Sequence, residues 1–131
     1  MTTKEFNKKI ENGEAKVLTL EDAKSLKGKK IMWTYFGYYA NEQEIFETKV
    51  GDIVSEMDYY ETQPMEGYKS RAEYWRSYMS KRQLDEVKNT LILLDSDNNM
   101  TYIKCHLNSV FFEEDTFTCS DEDRCVYYME I

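Results

Sequence analysis

Residues 29–57, KKIMWTYFGYYANEQEIFETKVGDIVSEM, form the longest run dominated by aromatic and β-branched side chains, and the run contains its own turn. From 31 to 36, Ile31, Trp33 and Tyr35 alternate with Met32, Thr34 and Phe36, and a period of two sends these sets to opposite faces of a strand. Both sets are largely apolar, which predicts a strand that is central in its sheet or packed beneath a helix. Gly37 and the small and polar residues at 39–42 supply turn chemistry. The return strand, 44–50, sets Glu44, Phe46, Thr48 and Val50 against Ile45, Glu47 and Lys49, so one of its faces should meet water. Gly51 and Asp52 read as a bend or bulge before Ile53 and Val54 resume the apolar pattern. Together these features predict a long, twisted antiparallel hairpin.

Upstream, residues 3–10 make a short helix with Thr3 as N-cap, and Phe6 and Ile10 share one face. Residues 15–19 suit a short edge strand. Thr19 and Asp22 then resemble a capping box for a helix carrying Leu20, Ala23 and Leu26, with Gly28 at its C-terminal left-handed position. Downstream, 58–67 reads as a loop. Ser70 and Glu73 form a full capping box, and Tyr74, Trp75, Tyr78 and Met79 make a stripe that predicts one helix extending to about Lys88. Residues 90–94 and 100–107 form a hairpin around the polar turn 95–99. A second hairpin follows, from strands at 110–112, 117–119 and 125–131 around the loop 120–124. The predicted fold class is α+β, residues 1–131 as a single domain. An antiparallel sheet of about six short strands, able to curl into a partly closed barrel, carries one main helix and short N-terminal helices.

The chain has 131 residues, enough to bury a core without a metal or disulfide, and 41% hydrophobic with 32% charged residues is a globular composition. The first residues are charged throughout, no apolar run reaches membrane-spanning length, and three cysteines do not make a paired set. A cytoplasmic protein with reduced thiols is therefore expected. The net charge of -8 disfavours direct contact with nucleic acid or an anionic membrane. That charge is unevenly distributed: residues 1–30 sum to +3, 31–67 to -7, 68–90 to +3, 91–109 to -1 and 110–131 to -6. Negative charge falls on strand-rich segments, and an acidic sheet side is expected.

The chemistry-bearing motifs are weak. DSDNN at 95–99 imitates the start of a calcium loop, but Met100 and His106 stand where a glycine and a bidentate glutamate belong, so the stretch reads as an ordinary turn. Cys105, His106, Cys119 and Cys125 have the right elements for zinc at the wrong spacing, since adjacent Cys105 and His106 should face opposite ways on a strand. Cys119 and Cys125 flank a loop and could meet across it as a redox-labile disulfide. There is one histidine to serve as a base and no glycine-rich loop to cradle phosphate. No catalytic, metal or cofactor-binding residue is assigned.

What remains is a binding face. Carboxylates interleaved with tyrosines suit a basic partner surface, and the residues assigned to it are Tyr38, Tyr39, Glu42, Glu44, Asp58, Tyr59, Tyr60, Glu61, Asp121, Glu122 and Asp123. Tyr35, Tyr74 and Tyr102 are assigned to the core. The expected function is a non-enzymatic acidic inhibitor that covers the basic, nucleic-acid-binding surface of a protein partner. By class analogy alone, anti-CRISPR and other phage or mobile-element anti-defence proteins, nuclease-toxin immunity proteins and DNA mimics work this way. The alternative is a small ligand-binding or enzymatic barrel with a pocket lined by Trp33, Tyr35, Trp75 and Tyr78. A monomer or a homodimer formed through a tyrosine-bearing edge fits either.

Overall fold

The computed structural model describes residues 1–35, 43–107, 116–119 and 122–131, with 122–124 as backbone only. The strands are β1 (Lys16–Val17), β2 (Lys30–Thr34), β3 (Ile45–Ser55), β4 (Thr90–Asp95), β5 (Met100–His106), β6 (Thr118–Cys119), β7 (Glu122–Cys125) and β8 (Tyr127–Glu130). The helices are α1 (Thr3–Glu11), α2 (Leu20–Ser25), α3 (Glu56–Glu61), α4 (Arg71–Tyr78) and α5 (Lys81–Lys88). The fold is α+β, as the sequence predicts, and every strand pair is antiparallel.

In hydrogen-bonding order the sheet runs β1-β8-β2-β3-β4-β5-β6-β7 and is not closed into a barrel. Its ends still approach each other. Val126 alone separates β7 from β8, so one bent strand pairs with β6 at one side of the sheet and with β1 and β2 at the other. The Leu18 amide donates to Val126 (2.8 Å) and the Phe117 amide to Leu18 (2.9 Å), tying the bend to both sides. The curled sheet encloses Leu18, Ile31, Trp33, Val50, Leu93, Ile103, Cys105, Phe117, Val126 and Tyr128, with Ala23 and Leu26 of α2 packed against them.

The hairpin of β2 and β3 forms as predicted, and β2 is central, between β8 and β3. Trp33 faces Phe46 with rings 4.5 Å apart, and its indole NH donates to Thr48 Oγ1 (2.9 Å). Thr34, on the other face, is buried and donates to the Glu44 carbonyl (2.5 Å), while the Gln43 amide reaches Asn7 on α1 (3.0 Å). The predicted turn at 39–42 lies outside the described residues, as does the predicted strand at 110–112.

The bulge at Gly51 and Asp52 is present, between Val50 and Ile53 in the pairing with β4. A Cβ on Gly51 would lie 2.0 Å from the Asp95 carbonyl oxygen and 2.9 Å from that of Leu94, so glycine is the residue that lets β3 meet the backbone of β4. At the end of β4 the turn 95–99 closes on one carboxylate: Asp95 Oδ1 accepts from the Asp97 and Asn99 amides, both at 2.9 Å.

The N-cap of α1 is Thr2, whose hydroxyl accepts the Glu5 amide (3.1 Å), and not the predicted Thr3. Four further local readings are corrected. The first is that the predicted loop at 58–67 begins inside α3, whose N-cap Ser55 accepts the Asp58 amide (3.1 Å). The single helix predicted from Ser70 to about Lys88 is two. Met79 is extended (ψ 141°), and Ser80 opens α5 with a reciprocal capping box to Gln83, a start signal inside an apparently continuous stripe. At Ser70 the predicted box is half formed, because the Glu73 carboxylate accepts from the Lys69 amide (2.7 Å) rather than that of Ser70. The predicted loop at 120–124 is largely β7.

Replacing Gly51 with alanine should lower stability by about 3 kcal/mol, since two backbones would have to separate to admit one methyl group. Urea unfolding measures it; a loss below about 0.5 kcal/mol would mean that the bulge yields freely.

Candidate protein-binding face

On the side of the sheet away from the curled core, α3 and α5 pack over β4, whose Ile92 and Leu94 are buried. α4 packs on α3 in turn. Met57, Tyr60 and Ala72 form the centre of this helical layer, with Tyr59, Trp75, Leu84 and Val87 around them. The spacing explains the arrangement: Ala72 and Trp75 are three apart on α4 and meet α3, whereas Tyr74 and Tyr78, four apart, run along its flank.

The layer is joined to the sheet by polar as well as apolar contacts, the Thr90 hydroxyl donating to the Glu86 carbonyl (2.7 Å) among them. Glu56 is buried, and its Oε1 accepts from Tyr60 Oη (2.6 Å) and from Lys104 Nζ on β5 (2.8 Å). Burial, followed by the Glu56 hydrogen bond and charge, holds the Tyr60 hydroxyl well above its ordinary pKa, with the nearby Arg71 opposing. The Arg71 guanidinium lies 4.8 Å from the Tyr60 ring centroid and 6.0 Å from that of Trp75. A second buried phenol, Tyr128, is pushed up to about 12 by burial and then by the charge and hydrogen bond of Asp22 on α2.

Six rings form a ladder across this layer. Tyr59 and Tyr60 are 6.2 Å apart, Tyr60 and Trp75 6.4 Å, Trp75 and Tyr74 5.4 Å, and Tyr74 touches Tyr68 (5.2 Å) and Tyr78 (4.7 Å). The inner rings are buried or half-buried, while Tyr68 is 40% and Tyr78 67% exposed. The Trp75 indole nitrogen is buried without a hydrogen-bond partner. Sequence reasoning took Tyr74, Trp75 and Tyr78 as a stripe covering the sheet and did not single out Tyr68; the break at Met79, which fixes α4 against α3 instead, carries the signal.

The residues assigned to the binding face are not all brought together. Asp58 and Glu61 are exposed and Tyr59 half-buried on α3, and Glu44 is exposed just before β3. Tyr60 is a correction: it is buried between α3 and α4, where its hydroxyl finds Glu56. Glu61 is engaged by Arg76. Tyr38, Tyr39, Glu42 and Asp121 lie outside the described residues, as do the side chains of Glu122 and Asp123. Of the tyrosines assigned to the core, Tyr35 and Tyr74 are half-buried, but Tyr102 is 57% exposed. Three β5 residues, 101–103, stand opposite Leu93 alone, and Tyr102 in this irregular stretch has a left-handed φ of 67°.

Among the described residues the strand acids do not form an uninterrupted field either. Lys30 pairs with Glu47 (3.2 Å), Lys29 with Glu130 (3.5 Å) and Lys27 with Asp52 (2.5 Å), so the lysines that end the positive N-terminal segment sit among the acids of the sheet. The four residues of the alternative aromatic pocket are also separated: Trp33 and Tyr35 belong to the sheet core, Trp75 and Tyr78 to the helical layer. A shallow cleft of about 360 Å³ between α2, the β3 bulge and β4 is lined by Ala23, Lys24, Lys27, Gly51, Asp52, Ile53 and Leu91 and by none of those four. Cys105 faces the core, while His106 approaches Thr90 Oγ1 (3.4 Å). Cys125 is opposite Thr118 and exposed, whereas Cys119 is opposite Glu122 and buried, an offset that does not face the two thiols across the hairpin. Among the described residues no helix is long and apolar enough to cross a membrane.

Comparison with protein-family models, with curated proteins and with solved structures gives no match for this chain.

Two measurements probe the polar contacts. Lys104→Met should cost about 3 kcal/mol, because it strands the Glu56 carboxylate in the interface, and Glu56→Leu in the same chain should restore part of that loss. The raised phenol pKa values mean that the folded state holds protons that the unfolded state releases above pH 10. The stability they contribute is therefore complete below that pH and falls as pH rises towards about 12. Tyr128→Phe should flatten this alkaline decline in unfolding experiments; an unchanged slope would show that the phenol does not cause it.

Proposed function

We propose that this chain is a non-enzymatic protein-binding inhibitor that occupies a basic, nucleic-acid-binding surface on a partner protein. The observation that carries the reading is the net charge of -8 combined with surface tyrosines, because opposite charge accelerates encounter and tyrosine gives rigid contact area at small entropic cost. The ion pairs of the sheet surface consume acids and bases one for one and leave that excess intact. Exposed Asp58 and Glu66 stand near the aromatic ladder in sequence, beside Tyr59 and Tyr68.

Direct nucleic-acid and membrane binding are not part of this reading, since both surfaces carry the same sign of charge as the protein. The protein acts in the cytoplasm, as a monomer or homodimer, in the manner of anti-defence, nuclease-immunity or DNA-mimic proteins, a parallel of chemistry and not of descent.

The test is titration against basic nucleic-acid-binding proteins of the native host, with duplex DNA as competitor. Binding should weaken at least about tenfold between roughly 50 and 500 mM salt, and DNA should displace the protein. A partner bound with the same affinity across that range, or bound simultaneously with its DNA, would overturn the reading.

A further inference from the structure

We infer that the edge of β3 at residues 51–55, beside the cleft next to α2, takes an extended, acidic segment of a protein partner as an added strand. This contact is made through the backbone and stands independently of the charge-driven reading above.

β3 has 11 residues and strand neighbours on both sides for only part of its length. β2 pairs with it from Ile45 to Lys49, and the backbone before β2 completes that side at Val50: the Gly28 amide donates to Val50 (2.8 Å) and the Val50 amide to Lys29 (2.9 Å). There the neighbouring chain departs. Gly28 is left-handed (φ 83°), and the residues before it belong to the turn out of α2. On its other side β3 stays paired with β4 as far as Ser55. Alternate residues of an antiparallel strand direct their N–H and C=O groups to opposite sides, so part of the backbone at 51–55 points away from β4. Among the described residues, no strand and no backbone hydrogen bond meets it there. An open edge of this kind is a template for another strand.

The space beside the edge says which strand it fits. The cleft of about 360 Å³ is lined by apolar Ala23, Ile53 and Leu91 and by charged Lys24, Lys27 and Asp52. Its apolar part suits an aliphatic side chain, which an added strand delivers at every second residue. Lys27 and Asp52 are paired across it, but their side chains are 66% and 51% exposed, and an exposed pair holds weakly enough to exchange partners. Lys24 is exposed and makes no ion pair among the described residues. Two lysines against one aspartate leave the cleft cationic in a chain of net charge -8. The occupant that fits therefore carries a carboxylate beside its aliphatic side chain.

The experiment titrates the isotopically labelled full chain with three capped peptides of about nine residues, following backbone amides by NMR. In the first, valine alternates with threonine around a central aspartate; the second has lysine in place of the aspartate; the third keeps the aspartate but has proline at two threonine positions, which removes backbone donors. The aspartate peptide should shift the amides of residues 51–54 and slow their hydrogen exchange, and should bind about fivefold more tightly than the lysine peptide. The proline peptide should not bind. Lys24→Glu should weaken binding of the aspartate peptide about fivefold, whereas Lys88→Glu, the same charge change on exposed α5, should leave it unchanged. Circular dichroism confirms that both variants fold. Binding retained by the proline peptide, or shifts that leave 51–54 unmoved, would overturn the added strand. Equal binding of the lysine peptide would overturn the acidic occupant, and no binding of the aspartate peptide at about 1 mM would overturn both.

Discussion

β4 is apolar on both faces, and the need to cover both at once shapes the molecule. Leu91 and Leu93 meet the curled core, while Ile92 and Leu94 are buried on the opposite side. Each such side chain contributes about 1.5–3 kcal/mol when withdrawn from water, so neither face can be left open. The inner face is covered because the bent strand of β7 and β8 draws the sheet round on itself. The outer face is covered by α3 and α5, which places a helical layer there and gives α4 a surface on which to rest. The buried Glu56 and Lys104 pair sits in that junction. Such a pair adds little net stability over an apolar contact, but a misplaced α3 would strand a charge.

The same geometry decides what the net charge can do. Segment sums separate a positive N-terminal segment from a negative hairpin, but folding mixes them. β2 runs beside β3, so Lys30 reaches Glu47, and the residues preceding β2 bring Lys27 and Lys29 to Asp52 and Glu130. Exposed pairs of this kind contribute little to stability and are screened by salt. Their effect is on the near field, where they remove contiguous acidic surface. At longer range the excess of acids still sets the sign of the field, although among the described residues the sheet face is not uniformly acidic.

Much of the architecture was legible because it rests on short-range signals. The two-residue period of residues 31–35 gave β2 two buried faces, Gly51 marked the bulge, Thr19 and Ser70 marked helix starts that the structure keeps, and Gly28 is left-handed but lies beyond the end of α2 at Ser25. Where the reading failed, tertiary context intervened. Tyr60 belonged to a segment without sustained period and was taken as exposed, yet burial of a phenol became favourable once Glu56 stood one turn earlier to accept its hydrogen bond. Tyr102 occupied an alternating strand position, but the local excess of residues on β5 moved it outward. The aromatic ladder was not legible as a unit. It depends on the break at Met79 and on the docking of α4 against α3, contacts between segments that no local period encodes.

The outer tyrosines are not explained by the stability of the helix that carries them. α4 is anchored by its Ser70 cap and by Ala72 and Trp75 turned towards α3. A contact such as that of Tyr74 with Tyr78, one turn apart, adds about 0.2–0.5 kcal/mol to a helix, which smaller polar pairs at the same positions could match without exposing ring surface. Tyr68 precedes the helix and gains less from it, since it ends a turn closed by its own amide and the Met65 carbonyl. Rings held against one another on the outside of a layer whose interior is already filled add apolar area where water can reach it. That placement returns little to the stability of the fold, which is set by the rings turned inward.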